Sequence, residues 1–224
     1  MESLTGAEPS IALRVARVVL IGAGLAGWFW TQRRLAARPF PAGRIRDRVH
    51  EWTAGGNRRL REHPRAADRL LIASSAIIDL LGLFLLGSSV FGPSVRPFLG
   101  LLLLFLLRQV CQALTALPAP EGMIWRDPGF PSLLVTYGTA TDLFFSGHTA
   151  IAVYGCVEMA RRGGAGLAAL GVAIALFEAA TVLVVRAHYT MDVFTAIVVA
   201  LWAAGVAGSI APAADRLLAA LAGG

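Results

Sequence analysis

A chain of 224 residues that is 56% hydrophobic and only 15% charged, with a mean hydropathy of +0.66, is too apolar for one or two soluble domains and describes a protein that crosses a membrane repeatedly. All 20 basic residues are arginines and the net charge is +6; on such a chain the excess points to loop orientation and contact with anionic lipid, not to nucleic acid. Cys111 and Cys156 both lie in apolar stretches, with no spacing suited to a disulfide framework or a metal site.

Apolar runs long enough for about 30 Å of hydrocarbon are predicted at 11–30, 70–91, 97–117, 143–160, 165–185 and 190–210. The expected fold is therefore all-α: a polytopic membrane protein, one six-transmembrane-helix bundle over 1–224. The first run keeps arginines at its start and lacks a small-residue cleavage site, so it reads as a retained span and not a signal peptide. Within it, Val-Val-Leu-Ile-Gly-Ala-Gly-Leu-Ala-Gly (18–27) matches a strand entering a dinucleotide-binding glycine loop, with Asp47 about twenty residues on. A doubly wound sheet needs further strand–helix units, and only residues 31–69 are soluble before the membrane resumes. The small residues are read instead as a surface for close helix packing. Trp28 and Trp30, followed by Arg33 and Arg34, are expected to end the span in an interfacial belt. Residues 31–69 hold eleven arginines, broken by Pro39, Pro41, Gly43, Gly55 and Gly56, and are predicted to form a surface loop with short amphipathic helices on the headgroups.

Three charges fall inside later spans. Asp79, Arg108 and Glu178 share a depth of about 14 Å at 1.5 Å per residue, and an unpaired charge there is costly. Arg108 is thus predicted to bond Glu178 or Asp79, as a structural staple or as the floor of a headgroup cavity. Glu158, beside Arg161 and Arg162, is expected at the opposite interface. With six spans, the segments 31–69, 118–141 and 186–189 emerge on one face, and both termini with the loops near Ser94 and Arg162 emerge on the other. Counting arginines by loop places the first face in the cytoplasm.

That face carries two polar clusters, Asp142-Leu-Phe-Phe-Ser146-Gly147-His148-Thr149 and His188-Tyr189-Thr190-Met-Asp192. His188 and Asp192 are four apart, so on a helix the carboxylate is expected to accept one imidazole N–H and leave the other nitrogen outward as a base or nucleophile. His148 follows Ser-Gly at a predicted helix start, where backbone N–H groups favour an anion. A phosphodiester needs an in-line nucleophile, an acid for its poor leaving group and donors for its oxygens, and this set of residues meets that need. Ser146, Thr149 and the N–H groups of the Ser146-Gly147-His148 turn are the candidate donors, with Tyr189 and Arg186 adjacent. Plainer roles stand beside these. The His-x-x-x-Asp pair also fits a buried strut or, with His148, a metal site; Asp142 fits a helix cap. Glu121 and Asp127, in the Pro/Gly-rich loop over the site, fit solvated loop charges.

Taken in order, Arg108, eight residues, Leu117-Pro-x-Pro, then Asp142-x-x-x-Ser-Gly-His-Thr, then His188-Tyr-Thr-x-Asp resembles the sphingomyelin synthase branch of the type-2 phosphatidic acid phosphatase superfamily. The Pro-Glu-Gly (120–122) and Phe-Phe-Ser-Gly-His (144–148) variants are similar to the plant phosphatidylcholine:diacylglycerol cholinephosphotransferases. The resemblance covers 108–192; the proline-rich motif that precedes the second span of the sphingomyelin synthases is absent. It implies that His188 attacks phosphorus with Asp192 orienting it, and that His148 protonates the departing lipid alcohol and deprotonates the incoming one. It also implies the opposite membrane side to the arginine count. The superfamily's phosphatases carry an Arg six residues before the nucleophile and a basic residue seven before an Arg-Pro; here Val182 and Ser89 stand there, which favours a singly charged diester over a monoester. The expected activity is phospho-headgroup transfer from a phospholipid donor to a diacylglycerol- or ceramide-like acceptor through a phosphohistidine, without metal, nucleotide or other cofactor. The expected setting is a bacterial inner membrane. A hydrolase with water as acceptor, a lipid phosphatase or phospholipase C-like enzyme, is the second reading, and a non-catalytic scaffold or transporter the third. Trp125, Phe130 and Tyr137 with Glu121 and Asp127 are the candidate choline cage.

Overall fold

The computed structural model describes residues 10–36, 43, 45–135, 137 and 143–222, and among them it contains helices and no strand. The helices are α1 (Ile11–Ala36), α2 (Arg48–Trp52), α3 (Ala54–Glu62), α4 (Pro64–Phe91), α5 (Arg96–Leu114), α6 (Gly147–Val184) and α7 (Thr190–Leu221). Five of them, α1 and α4 to α7, are long and apolar enough to cross a membrane. Six spans were expected, and the difference lies in α6, which joins the fourth and fifth of those predicted.

α6 is not straight. Gly163 (φ −136°, ψ 23°) and Gly164 (φ 64°, ψ −160°) leave the helical region. Along a continuous helix Cys156 and Gly171 would stand about 22 Å apart at 1.5 Å per residue, yet a Cβ built on Gly171 would lie 2.7 Å from the Cys156 Cα. The arms 147–162 and 165–184 therefore fold back against one another. Gly164 supplies the positive φ that a side chain resists, and Gly171 the bare surface that lets the arms touch.

Elsewhere local chemistry moves the predicted boundaries. α4 starts at Pro64, which needs no N–H partner in a first turn, ahead of the hydropathy edge at 70; this extra turn buries Ala67 and exposes Arg65 and Arg69. α7 runs past Pro212 to Leu221 and buries Ala196, Ala200, Ala203, Ala207 and Ala211 on one face, a small-residue seam against α5 and α6. Gly100 leaves room for the Tyr154 ring, whose hydroxyl donates to the Arg96 carbonyl at 3.0 Å. In the glycine run of α1 only Gly24 makes a close approach, to Phe98; Gly22 and Gly27 face open space. Trp28 does not join an interfacial belt: it is buried and stacks on Phe105 at 4.5 Å, whereas Trp30 is exposed with the Arg34 guanidinium over its ring.

Polar groups collect at the two ends of the bundle. At one end Arg96 pairs with buried Glu158 and gives its second terminal nitrogen to the Ala204 carbonyl at 3.0 Å, while Arg17 donates to Gly92 O at 2.6 Å and Asp215 accepts the Val95 N–H at 2.9 Å. Glu158 thus turns inward to Arg96, not outward to the neighbouring Arg161 and Arg162. The pairing predicted for Arg108 is replaced by other bonds. Asp79 accepts the N–H groups of Leu133 and Leu134 at 2.8 and 2.9 Å, Glu178 accepts the Ser74 hydroxyl at 2.5 Å, and Arg108 donates Nε to the Phe145 carbonyl at 2.9 Å. At the other end α2 and α3 do not merely rest on lipid. Asn57, buried on α3, donates to the carbonyls of Gly122 and Val184 at 3.0 and 2.9 Å and so ties this surface strap to the bundle.

Candidate active site

The first histidine motif folds around its own cap. Ser146 takes the extended backbone of an N-cap, its Oγ accepts the Thr149 N–H at 3.3 Å, and its hydroxyl donates to Thr149 Oγ1 at 3.0 Å. Both side chains are fully buried, so the two hydroxyls expected to serve phosphate are turned on each other. In this arrangement they cap the start of α6. A Cβ on Gly147 would come 3.3 Å from Arg108 Nε, so its absence lets the guanidinium slide along the helix start. His148 then stands edge-on to Trp125, with ring centroids 5.3 Å apart, and its buried Nε2 has no hydrogen-bond partner.

The second motif begins in the turn after α6. His188 Nδ1 lies 2.7 Å from the Leu143 carbonyl and 3.6 Å from Asp192 Oδ2. A carbonyl only accepts, so Nδ1 carries a proton, and in the neutral ring Nε2 is the nitrogen with the lone pair. The orienting partner is therefore the Leu143 carbonyl, and not Asp192 as the four-residue spacing predicted. Asp192 is occupied one turn away: its Oδ2 accepts the Tyr189 N–H at 2.8 Å, capping α7, while Oδ1 has no partner. Its charge still lies next to the imidazole. The two motifs are also joined directly through the Ser146 N–H and the Asp192 carbonyl, at 3.3 Å.

One small cavity of about 50 Å³ gathers the reactive groups. His148, His188, Arg108 and Gly147 open onto it, and Trp28, Trp125, Leu143 and Ile151 are among the residues that close it. Space of that size suits a handful of waters at ~10–15 Å³ each, or one tetrahedral group. Several predicted site residues lie outside it. Ser146, Thr149 and Asp192 support its wall; Tyr189 donates its hydroxyl to the Pro118 carbonyl at 2.9 Å, tying the Leu-Pro-x-Pro motif to the His188 turn. Burial, with Asp192 and Asp47 nearby, pushes the Tyr189 phenol up, which keeps that proton in place. Glu121 meets Tyr189 in a separate surface depression, and Asp127 is exposed, accepting the Gly129 N–H at 2.8 Å in a local turn. Asp142 lies outside the described residues. Of the candidate cage, Trp125 reaches the cavity and Tyr137 packs behind it at 4.8 Å, but Phe130 does not line it. Among the described residues no group of three or more His, Cys, Asp or Glu is arranged to hold a metal.

Sequence reasoning missed His50 and the true task of Asp47. His50 is buried with Nε2 2.9 Å from the His188 carbonyl, and Asp47, which counted only toward the dinucleotide fingerprint, caps α2 and bonds Thr190. The contacts span 138 and 143 positions, and no local pattern announces them.

A helix bundle suited to a membrane, with two histidines and an arginine lining one small cavity, is the architecture of an integral membrane protein. The family model AtPDCT1/2 matches residues 47–209, well over half of the chain, and the chain belongs to this family of phosphatidylcholine:diacylglycerol cholinephosphotransferases. No curated protein and no solved structure gives a match. The matched region opens at Asp47 and takes in the strap, both histidine motifs and the cavity walls apart from Trp28.

Proposed function

We propose that this protein transfers a phospho-headgroup, phosphocholine in the first instance, from a phospholipid to the hydroxyl of a diacylglycerol-type acceptor by way of a phosphohistidine at His188. The observation that carries the reading is the shared cavity: His148 and His188, forty residues apart, open onto one phosphate-sized space together with Arg108. In the first step the Nε2 lone pair of His188 attacks phosphorus and the bond to the diacylglycerol oxygen breaks. The departing oxygen takes a proton from His148, which is left neutral as the base for the second step. In the second step His148 removes the proton of the incoming hydroxyl, that oxygen attacks phosphorus, and His188 leaves as neutral imidazole. Both residues return to their starting states. Arg108 balances charge on the equatorial oxygens, and the Leu143 carbonyl keeps His188 in the tautomer the attack requires. Trp125 offers the aromatic surface for a quaternary ammonium.

We read α6 as two crossings, giving six in all. His148 at the start of one arm and His188 just beyond the end of the other share a cavity, which requires the chain to leave and return to the same end. This reading also aligns the chain with the sphingomyelin synthase branch of the type-2 phosphatidic acid phosphatase superfamily. Purified protein in vesicles of headgroup-labelled phosphatidylcholine, with and without diacylglycerol, tests the function. Label passing to the acceptor lipid and lost in His188→Ala supports transfer; headgroup release independent of acceptor supports hydrolysis, and undiminished activity in His188→Ala refutes both.

A further inference from the structure

The cavity accounts for His148, His188 and Arg108 but not for a third buried histidine. His50 sits on the short helix α2, outside the cavity, and its Nε2 donates to the backbone carbonyl of His188 at 2.9 Å while its ring stacks on Tyr189 at 5.6 Å. Next to it Asp47 bonds two helix starts at once. Its Oδ1 accepts the Val49 N–H at 2.9 Å, and its two oxygens accept the Thr190 hydroxyl at 2.8 Å and the Thr190 N–H at 2.6 Å. Arg186, held at a positive φ of 57°, closes the arrangement by donating to the His50 carbonyl at 2.8 Å and the Glu121 carbonyl at 2.9 Å. α2 has five residues, too few to be held by its own helical bonds, so these contacts are what dock it.

The backbone they hold is that of the nucleophile. The His188 carbonyl is bound by His50, the next N–H by Asp192 and the one after by Asp47, while the imidazole is fixed by the Leu143 carbonyl. A ring with one side-chain hydrogen bond still swings when its backbone moves, and in-line attack tolerates little misplacement. We propose that His50 and Asp47 are positioning residues that hold His188 in line from the surface strap. The proposal rests on the headgroup-transfer reading above. The family match, which opens at Asp47, is consistent with the strap belonging to the functional unit.

Four variants of the full chain in phosphatidylcholine vesicles containing diacylglycerol test it. His50→Phe keeps the ring and its stack but removes the donor, and His50→Gln restores an N–H at the same reach. Asp47→Asn leaves a donor facing the N–H of Val49 or Thr190 whichever way its amide turns; His188→Ala is the reference. His50→Phe and Asp47→Asn should lower kcat about ten- to a hundredfold with KM and the unfolding midpoint near wild type, and His50→Gln should recover to within a few-fold. Backbone amide exchange across 186–190 should quicken in the first two and not in His50→Gln, a readout that needs no turnover. Wild-type kcat in His50→Phe, an equal loss in His50→Gln, or unchanged exchange overturns the proposal. Full activity in His188→Ala with quickened exchange in His50→Phe sinks the transfer chemistry and leaves the strap's hold on this turn standing; full activity with unchanged exchange sinks both.

Discussion

The two ends of the bundle treat buried polar groups in opposite ways. Far from the cavity, the Arg96 cation faces the Glu158 carboxylate and the Ala204 carbonyl, and Tyr154 bonds the Arg96 backbone, so charge meets charge and the helices α5, α6 and α7 are fastened together. At the cavity, His148 Nε2 and Asp192 Oδ1 are buried without partners, and His188 uses only Nδ1 on the protein. A fold gains nothing in stability from such atoms, because a buried group left unbonded costs about 1–3 kcal/mol. Arg96 and Arg17 also leave Nε unbonded at the far end, but their terminal nitrogens hold the helices there, whereas the cavity leaves His148 Nε2 with nothing to bond.

The sharpest way to break this contrast is to exchange the consequences. His188→Ala should remove transfer by at least about a thousandfold, roughly 4 kcal/mol in barrier, and lower stability by only about 1–2 kcal/mol through the lost bond to the Leu143 carbonyl. Glu158→Ala should do the reverse: it leaves Arg96 buried and unpaired, costs about 3–5 kcal/mol of stability by thermal unfolding, and leaves turnover per folded molecule intact. Gly164→Ala, which forces a side chain into positive φ at the reversal of α6, should cost about 1–2 kcal/mol. Asp192→Asn sharpens the site end. Asparagine's carbonyl still accepts the Tyr189 N–H, and the Leu143 carbonyl still orients His188, so the expected loss is about tenfold in kcat, roughly 1.4 kcal/mol. A loss as large as that of His188→Ala would make Asp192 the orienting group after all.

The smallest effect concerns acid. Burial opposes the charge on Asp47, but the N–H and hydroxyl of Thr190, the His50 N–H and the nearby His50 ring outweigh it, and the carboxyl lies below its ordinary value. A depressed folded-state value contributes stability that is present above the ordinary carboxylate range and lost as pH falls through the folded one. The protection factors of the amides at 186–190, which divide out the intrinsic pH dependence of exchange, should accordingly stay constant above the ordinary carboxylate range, about pH 4, and fall below it. Asp47→Asn should abolish that fall. Glu51, also held low by Arg46 and Arg48, titrates in the same acid range but is paired only within the strap.

What could be read from the sequence follows from how far apart the interacting residues lie. Long apolar runs and the two histidine motifs are local; the runs marked the long apolar helices, and the motifs hold the two histidines that the structure brings to one cavity. The spacing of His188 and Asp192 is local too, yet it misled, because the chain turns between them and the carbonyl of Leu143 accepts the imidazole N–H. Ser146 and Thr149 were read for chemistry from residue type alone, and the structure shows them bonded to each other at the start of α6. The pair Arg96–Glu158, and the grip of His50 and Asp47 on residues 188 and 190, depend on tertiary packing that no window of sequence contains. Gly163 and Gly164 sat between two predicted spans as an ordinary loop, and the structure makes them a reversal tight enough for the flanking helix to read as one.

Headgroup transfer through His188 requires a covalent bond between its Nε2 and phosphorus. Protein mixed with phosphatidylcholine labelled in its headgroup phosphorus, quenched in base to preserve an acid-labile linkage and mapped by mass spectrometry, reads it directly. The account predicts phosphocholine on the peptide bearing His188, cleared when diacylglycerol is added and absent from His188→Asn. Turnover without any labelled His188, or label that settles on another residue, would contradict it.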